Sequence, residues 1–295
     1  MADITTKNSE PIINLKRNPK RPREIFNKVM TGLSGTCIII TLVPLFAVLI
    51  YVFIKGLARI NLDLFTKLPP AAGQNTGGIA NAILGTIIVV AIASLIAIPF
   101  GILTAIYLSE FSDEETARPI RFATNVLSGV PSIIAGVFAY SLLVLSMGKF
   151  SVFAGGSALS VLMLPTIIKA TDEALQIVPR DIRAASLGVG ASNYQTVLQI
   201  VLPAAFPSIV TGITLAIARA AGETAPLLFT VVYSNNWPCG PFAPTLPSLA
   251  YLVYEFARSF DLVLQEFAWA GSLVLVALVL ITSIFSRWVT SHKQF

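Results

Sequence analysis

Residues 179–223 read PRDIRAASLGVGASNYQTVLQIVLPAAFPSIVTGITLAIARAAGE. The first half carries Arg180, Asp181 and Arg183, a Gly188-Val189-Gly190 turn and an Ile200-x-Leu202-Pro203 ending. The second half is apolar apart from Arg219 and Glu223. A polar, turn-containing backbone cannot lie in hydrocarbon, where nothing satisfies its exposed N–H and C=O groups. The first half is therefore expected at the membrane surface, as a connection of about twenty residues. A connection of that length with helical patterning is expected to contact something. A left-handed glycine at Gly190 would let one short helix stop and a second leave at an angle.

The rest of the chain agrees with a membrane setting. Its 295 residues are 55% hydrophobic and 12% charged, with a mean hydropathy of +0.78, well outside the range of soluble domains. Six apolar runs are expected to span the bilayer, at about residues 29–54, 80–108, 123–147, 151–168, 204–233 and 266–285. The first run is too long for a signal-peptide core and lacks a small-x-small cleavage site, so it is expected to stay in the protein. Pro99 and Gly101 suggest a kink in the second, and the third contains a Gly129-Val130-Pro131-Ser132 notch. Loops rich in Gly and Pro occupy 55–80 and 234–265; Tyr233, Trp237 and Phe242 read equally well there as interface anchors or membrane-surface residues.

Charge gives the orientation. The net charge of +5 comes from Lys and Arg gathered at run ends, not from a basic face laced with aromatic residues, so nucleic acid is not implied. With six spans both termini share a side, and that side holds fourteen of the twenty Lys and Arg against five opposite. The positive-inside rule puts the termini and the 180–203 segment in the cytoplasm. The expected organisation is a disordered basic tail over 1–28, a permease domain over 29–290 containing a cytoplasmic loop at 170–203, and a short cytoplasmic end at 291–295.

Catalytic signatures do not stand out. Gly148-Lys149 lacks the upstream Gly and the following Ser or Thr of a nucleotide loop. His292 is the only histidine and sits in the tail, while Cys37 and Cys239 lie too differently placed to bridge. Asp113, Glu114 and Glu115 on the 109–122 connection read as a solvated face in preference to metal ligands.

Arg219 and Glu223 are the exceptional charges, because they fall inside the fifth apolar run. A charge near the middle of a spanning helix costs roughly 2.5–3.5 kcal/mol, so such residues usually serve function and face the bundle interior. Spacing of four puts both on one helix face, where they can pair. Counted from residue 204, Arg219 stands about 22 Å along the helix, in the outer half of the bilayer core. A guanidinium fork holds an oxyanion through two donors, and a nearby carboxylate accepts a hydrogen bond from hydrogen phosphate while repelling sulfate. A purely structural ion pair is the competing reading.

The spacing of the opening stretch resembles the coupling loop of ABC-transporter permease subunits, which reads Glu-Ala-Ala, three residues, Gly, nine residues, Ile-x-Leu-Pro. Ala185 takes the first alanine, Gly190 the glycine, and Ile200, Leu202 and Pro203 the tail. Ala184 stands where the family has Glu, and Ser186 where it has the second alanine. A narrower resemblance, over about residues 78–285, is to phosphate-specific permeases. It rests on Ala218-Arg219-Ala220-Ala221-Gly222-Glu223-Thr224-Ala225-Pro226, Pro244-Thr245-Leu246-Pro247, Leu164-Pro165 and Thr171-Asp172-Glu173-Ala174-Leu175. Lys169 stands where that group commonly has Arg, keeping the charge but losing the fork.

The resemblance implies an all-α polytopic membrane protein with the six-helix type I (MetI-like) importer permease fold, and a transport subunit, not an enzyme. It implies a second homologous permease, an ATPase dimer carrying ATP and Mg, an extracytoplasmic phosphate-binding protein, and no cofactor or metal in this chain. Ala184, Ala185, Ser186, Gly190, Ile200, Leu202 and Pro203 would couple to the ATPase, and Arg219, Glu223 and Lys169 would line the substrate path. A permease for molybdate or sulfate, and an ion-coupled secondary carrier using Arg219 and Glu223 as a gate, are the alternatives.

Overall fold

The computed structural model describes residues 22–71 and 73–291. The part of the expected basic tail before residue 22 and the end from residue 292, His292 included, lie outside the described residues. The chain divides into two units, Met1–Tyr51 and Val52–Phe295. Helix α1 (Pro22–Leu57), most of which belongs to the first, starts before the expected span, so residues 22–28 are helical and not a disordered tail.

In the second unit, α2 (Leu62–Thr66) is a short turn of helix capped by the Asn61 side chain. Next come α3 (Ala80–Phe111), α4 (Glu114–Ser128), α5 (Ser132–Met147) and α6 (Val152–Ile177). They are followed by α7 (Arg180–Gly188), α8 (Asn193–Gly222), α9 (Ala225–Thr230), α10 (Leu249–Ala257) and α11 (Leu262–Ser291). Among the described residues the only β pairing is an isolated bridge between Val232 and Thr245.

Five of these helices are long and apolar enough to cross a membrane: α1, α3, α6, α8 and α11. The expected third span is a bent pair. The Gly129–Pro131 notch breaks it, and α4 and α5 meet at 102°. Pro131 has no N–H to give to the helix before it and stands at ψ +137°, outside the helical region, so α5 starts afresh after it. The connection expected over 109–122 is mostly α4, started by Asp113, whose side chain accepts from the Thr116 amide. Pro99, by contrast, sits inside an unbroken α3.

The central packing is α3 against α6, with α8 packed on α6 and also touching α3. Small residues allow it. Gly156 lies against Ile92 and Gly101 against Ile167, so the backbones approach closely. Ala93, Ala97, Leu159, Met163, Ile167, Ala216 and Ala220 fill the interior. A second cluster packs α10 and α11 against the start of α3, through Leu252, Phe256, Ala270 and Ala82.

Candidate functional site

Helix α6 ends at Ile177, and Val178-Pro179 turns the chain into α7. The expected 170–203 loop is therefore shorter, since 170–177 belong to α6. Helix α7 stops on a complete Schellman motif: Ala191 N–H donates to Ser186 O at 3.2 Å and Gly190 N–H to Leu187 O at 3.0 Å. Gly190 has φ +93°, the left-handed conformation expected of it. Helix α8 then opens on a capping box, Ser192 with Gln195.

The second short helix of the expected pair does not stay separate. Residues 193–196 continue through a π turn (Val197–Val201) into the apolar helix, so Ile200, Leu202 and Pro203 are inside one 30-residue element. The fifth span thus begins at Asn193 as a helix and not near residue 204. Sequence hydropathy marks where apolar residues start, whereas the helix starts at its cap. Ala184 and Ala185 are exposed on α7, in a surface that also shows Ile182, Leu187, Val189 (87% exposed) and Tyr194. Ser186 instead points inward, sharing a buried 2.8 Å hydrogen bond with the Thr196 hydroxyl.

Two ion pairs that hydropathy did not reveal hold this end of the bundle together. Arg183 of α7 donates from Nη2 to Glu110 Oε1 at 2.8 Å and to Leu175 O at 2.7 Å, and from Nη1 to Val178 O at 2.8 Å. Its Nε is buried with no acceptor among the described residues. Arg121 of α4 grips Asp172 of α6 with Nε and Nη2 at 2.9 and 3.1 Å, and reaches Leu108 O. Gln176 donates to the same Asp172. A cavity of about 550 Å³ opens here, lined by Glu110, Glu114, Arg121, Gln176, Arg180 and Arg183.

Glu110, within the connection expected over 109–122, is almost enclosed, with 8% of its side chain exposed. The pairs join residues 73 and 51 positions apart, a separation no local pattern reports. Asp113 does stay exposed, and its bonds to Thr116 hold its carboxyl below the ordinary carboxylate range. No metal-holding group of His, Cys, Asp and Glu occurs among the described residues.

At the opposite end of α8, Arg219 and Glu223 approach to 3.6 Å. That is an ion contact, too long for a strong charge-assisted hydrogen bond. Glu223 is not inside a helix as the run of apolar residues implied: α8 ends at Gly222, Glu223 is extended, and the chain restarts as α9. Its carboxylate is largely covered and the Arg219 side chain is half exposed. Lys169 is not brought to this pair. It lines a smaller cavity with Arg121, Asn125, Asp172 and Glu173, one residue before the Ala170 that packs on Gly212. Gly212 is seven residues below Arg219, about 10 Å along the axis.

Beyond α9 the 234–265 segment is not one loop, since α10 lies within it. Tyr233, just before it, is half-buried, with its ring against Tyr251 and Phe256. Cys37 and Cys239 are both free.

Residues 97–293 match the family model described as "Binding-protein-dependent transport system inner membrane component". The phosphate transport system permease protein PstA of Haemophilus influenzae is 37% identical over 273 residues, 92% of this chain and 96% of that one. PstA of Yersinia pestis is 34% identical over 295 residues, the full length of both. Among solved structures, a bacterial alginate ABC transporter chain shares the fold with a TM-score of 0.64 at 13% identity, over 92% of this chain and 99% of that one. A chain of the MetNI methionine ABC transporter does so at 0.57 and 19%, over 74% and 95%. With a surface helix ending on a Schellman glycine between two apolar helices, and relatives of this extent, the chain belongs to the binding-protein-dependent transport system inner-membrane components, as a multi-pass permease of the PstA group.

Proposed function

We propose that this chain is the transmembrane permease subunit of an ATP-driven importer of inorganic phosphate. It lines the translocation path together with a second, homologous permease, takes ATP hydrolysis from a cytoplasmic ATPase dimer carrying Mg, and receives phosphate from an extracytoplasmic binding protein. The observation that carries this reading is the α7–Gly190–α8 unit. An exposed apolar surface of Ile182, Leu187, Val189 and Tyr194 sits on a rigidly capped turn, at the end of the bundle where the basic residues gather. Such a surface on a membrane protein's polar end supports a docked partner. The 34–41% identity to phosphate permeases supports the substrate.

Both termini and α7 are cytoplasmic in this reading, by the positive-inside rule. Ala184, Ala185 and Gly190 seat the ATPase, Ser186 fixes the turn from inside, and Ile200, Leu202 and Pro203 carry its movement into α8. Arg219 and Glu223 then stand at the far end of α8, on the side from which phosphate arrives. The loose Arg219–Glu223 contact leaves guanidinium donors for a tetrahedral anion, while Glu223 favours a protonated oxyanion that can donate to it. Lys169 lies farther inward, on the route of release.

Phosphate uptake into vesicles carrying the complete complex tests the reading. Uptake requiring ATP and the binding protein is expected, with sulfate and molybdate unable to compete. Uptake without ATP would reject an ATPase-coupled permease.

A further inference from the structure

Displacement of α7 passes into α6 along the chain itself, because only Val178 and Pro179 separate them. No such covalent route reaches α3. Glu110 lies near the C-terminal end of α3, 73 residues before Arg183. The two are nevertheless joined at 2.8 Å, with Glu110 almost enclosed. The guanidinium also holds Leu175 O and Val178 O, so its Nη2 bridges Glu110 of α3 and Leu175 of α6 while its Nη1 holds the linker between α6 and α7.

Glu110 sits on a π turn, Tyr107–Phe111. Such turns cluster at functional sites, where a helix changes phase without breaking. Another π turn, Val197–Val201, lies in the first turns of α8 just after Thr196, the residue that Ser186 of α7 grips. Two of the elements that α7 touches through side chains, α3 and α8, therefore carry a π turn at or beside the contact; the other π turn among the described residues, Tyr140–Val144, lies in α5. Arg121 also ties α3 to α6, through Leu108 O and Asp172, but it belongs to α4 and its bonds run to neither end of α7.

We propose that the Arg183–Glu110 pair transmits movement of α7 into α3, making both positioning residues for transport; this rests on the importer reading above. Because α3 packs along α6 at Gly101 and Gly156, movement delivered at Glu110 is carried along the central helix pair instead of being absorbed at the surface. The pair acts on coupling and leaves docking of the ATPase to the exposed face of α7.

The test uses the complete complex in proteoliposomes and measures ATP hydrolysed per phosphate imported. If the wild-type complex imports no phosphate with ATP, the importer reading fails by itself. With wild-type import established, Glu110→Gln and Arg183→Gln are expected to keep ATP hydrolysis within about twofold while ATP used per phosphate rises about tenfold. The double variant should be no worse than either single one, and Arg183→Lys should recover part of the coupling. A Glu110→Gln complex with the wild-type ratio overturns the proposal. So does a drop in assembled complex whose remaining fraction transports at the wild-type ratio, the mark of a purely structural pair. Hydrogen exchange on the wild-type complex is independent of variant assembly. Residues 104–111 should change protection together with 180–188 between nucleotide-free and vanadate-trapped states, and an unchanged 104–111 segment overturns the proposal.

Discussion

Ser186 and Thr196 share a buried hydrogen bond of 2.8 Å across the turn that separates α7 from α8. The hydroxyl pair locks the angle between the surface helix and the membrane helix. Removing one partner leaves the other hydroxyl buried and unsatisfied, whereas removing both replaces polar by apolar contact. Ser186→Ala is expected to destabilise the detergent-solubilised protein by about 1–3 kcal/mol, and Ser186→Ala with Thr196→Val by less than either single change. Thermal unfolding of the three variants checks the order.

Gly190 gives a second expectation. Its φ of +93° is closed to most side chains, yet no neighbour stands within 4 Å of where a Cβ would be. The cost of Gly190→Ala is thus conformational alone, about 1–2 kcal/mol, with the chain still inserted. Gly190→Asp adds a charge on the docking surface, and binding-protein-stimulated ATPase activity should fall with it. Stimulation equal to the wild type would dissociate α7 from the ATPase.

For the substrate path, Arg219→Gln should cut phosphate uptake by about tenfold or more while leaving assembly intact, since its side chain is half exposed and only loosely paired. Glu223→Gln should weaken uptake and relax the preference for hydrogen phosphate over sulfate. Radiolabelled phosphate uptake with sulfate as competitor distinguishes the two effects. Normal uptake by Arg219→Gln makes the pair structural.

Asp172→Asn takes the countercharge from Arg121 and weakens the acceptor used by Gln176. Asp172 is 11% exposed but Arg121 about a third exposed, so solvent screens part of the loss. A destabilisation of about 1–3 kcal/mol is expected, below the full cost of a sealed pair. Arg121→Gln should cost less, because the remaining carboxylate keeps its bond to Gln176. A Tm comparison tests the ranking.

Much of this fold is legible from apolar run length, because hydrocarbon thickness sets how many residues a spanning helix needs. The turn at Gly190 is legible too, since Leu187-Gly188-Val189-Gly190-Ala191-Ser192 followed by Gln195 contains a left-handed stop and a capped start. What hydropathy misreads is where helix and apolarity part company. Residues 193–203 are helical though partly polar, and 223–224 are not helical though surrounded by apolar residues. The sharp bend at Gly129–Pro131 lies inside a run whose composition alone describes one straight span. Arg183–Glu110 and Arg121–Asp172 are invisible for a different reason: each joins residues brought near only by the packing of α3 on α6. Lys169 and Arg219 both read from sequence as charges of one substrate path, but seven residues of α8 rise between their levels.

The unbroken run of α8 from Asn193 to Gly222 makes it a lever arm. Its short end begins three residues after the Gly190 pivot, and Arg219 sits 26 residues beyond Asn193, about 39 Å away. Tilting the rod by about 5° at the pivot carries the guanidinium sideways by roughly 3 Å, the length of one hydrogen bond. A push too small to remodel the bundle is therefore large enough, at the far tip, to make or break the grip on an anion.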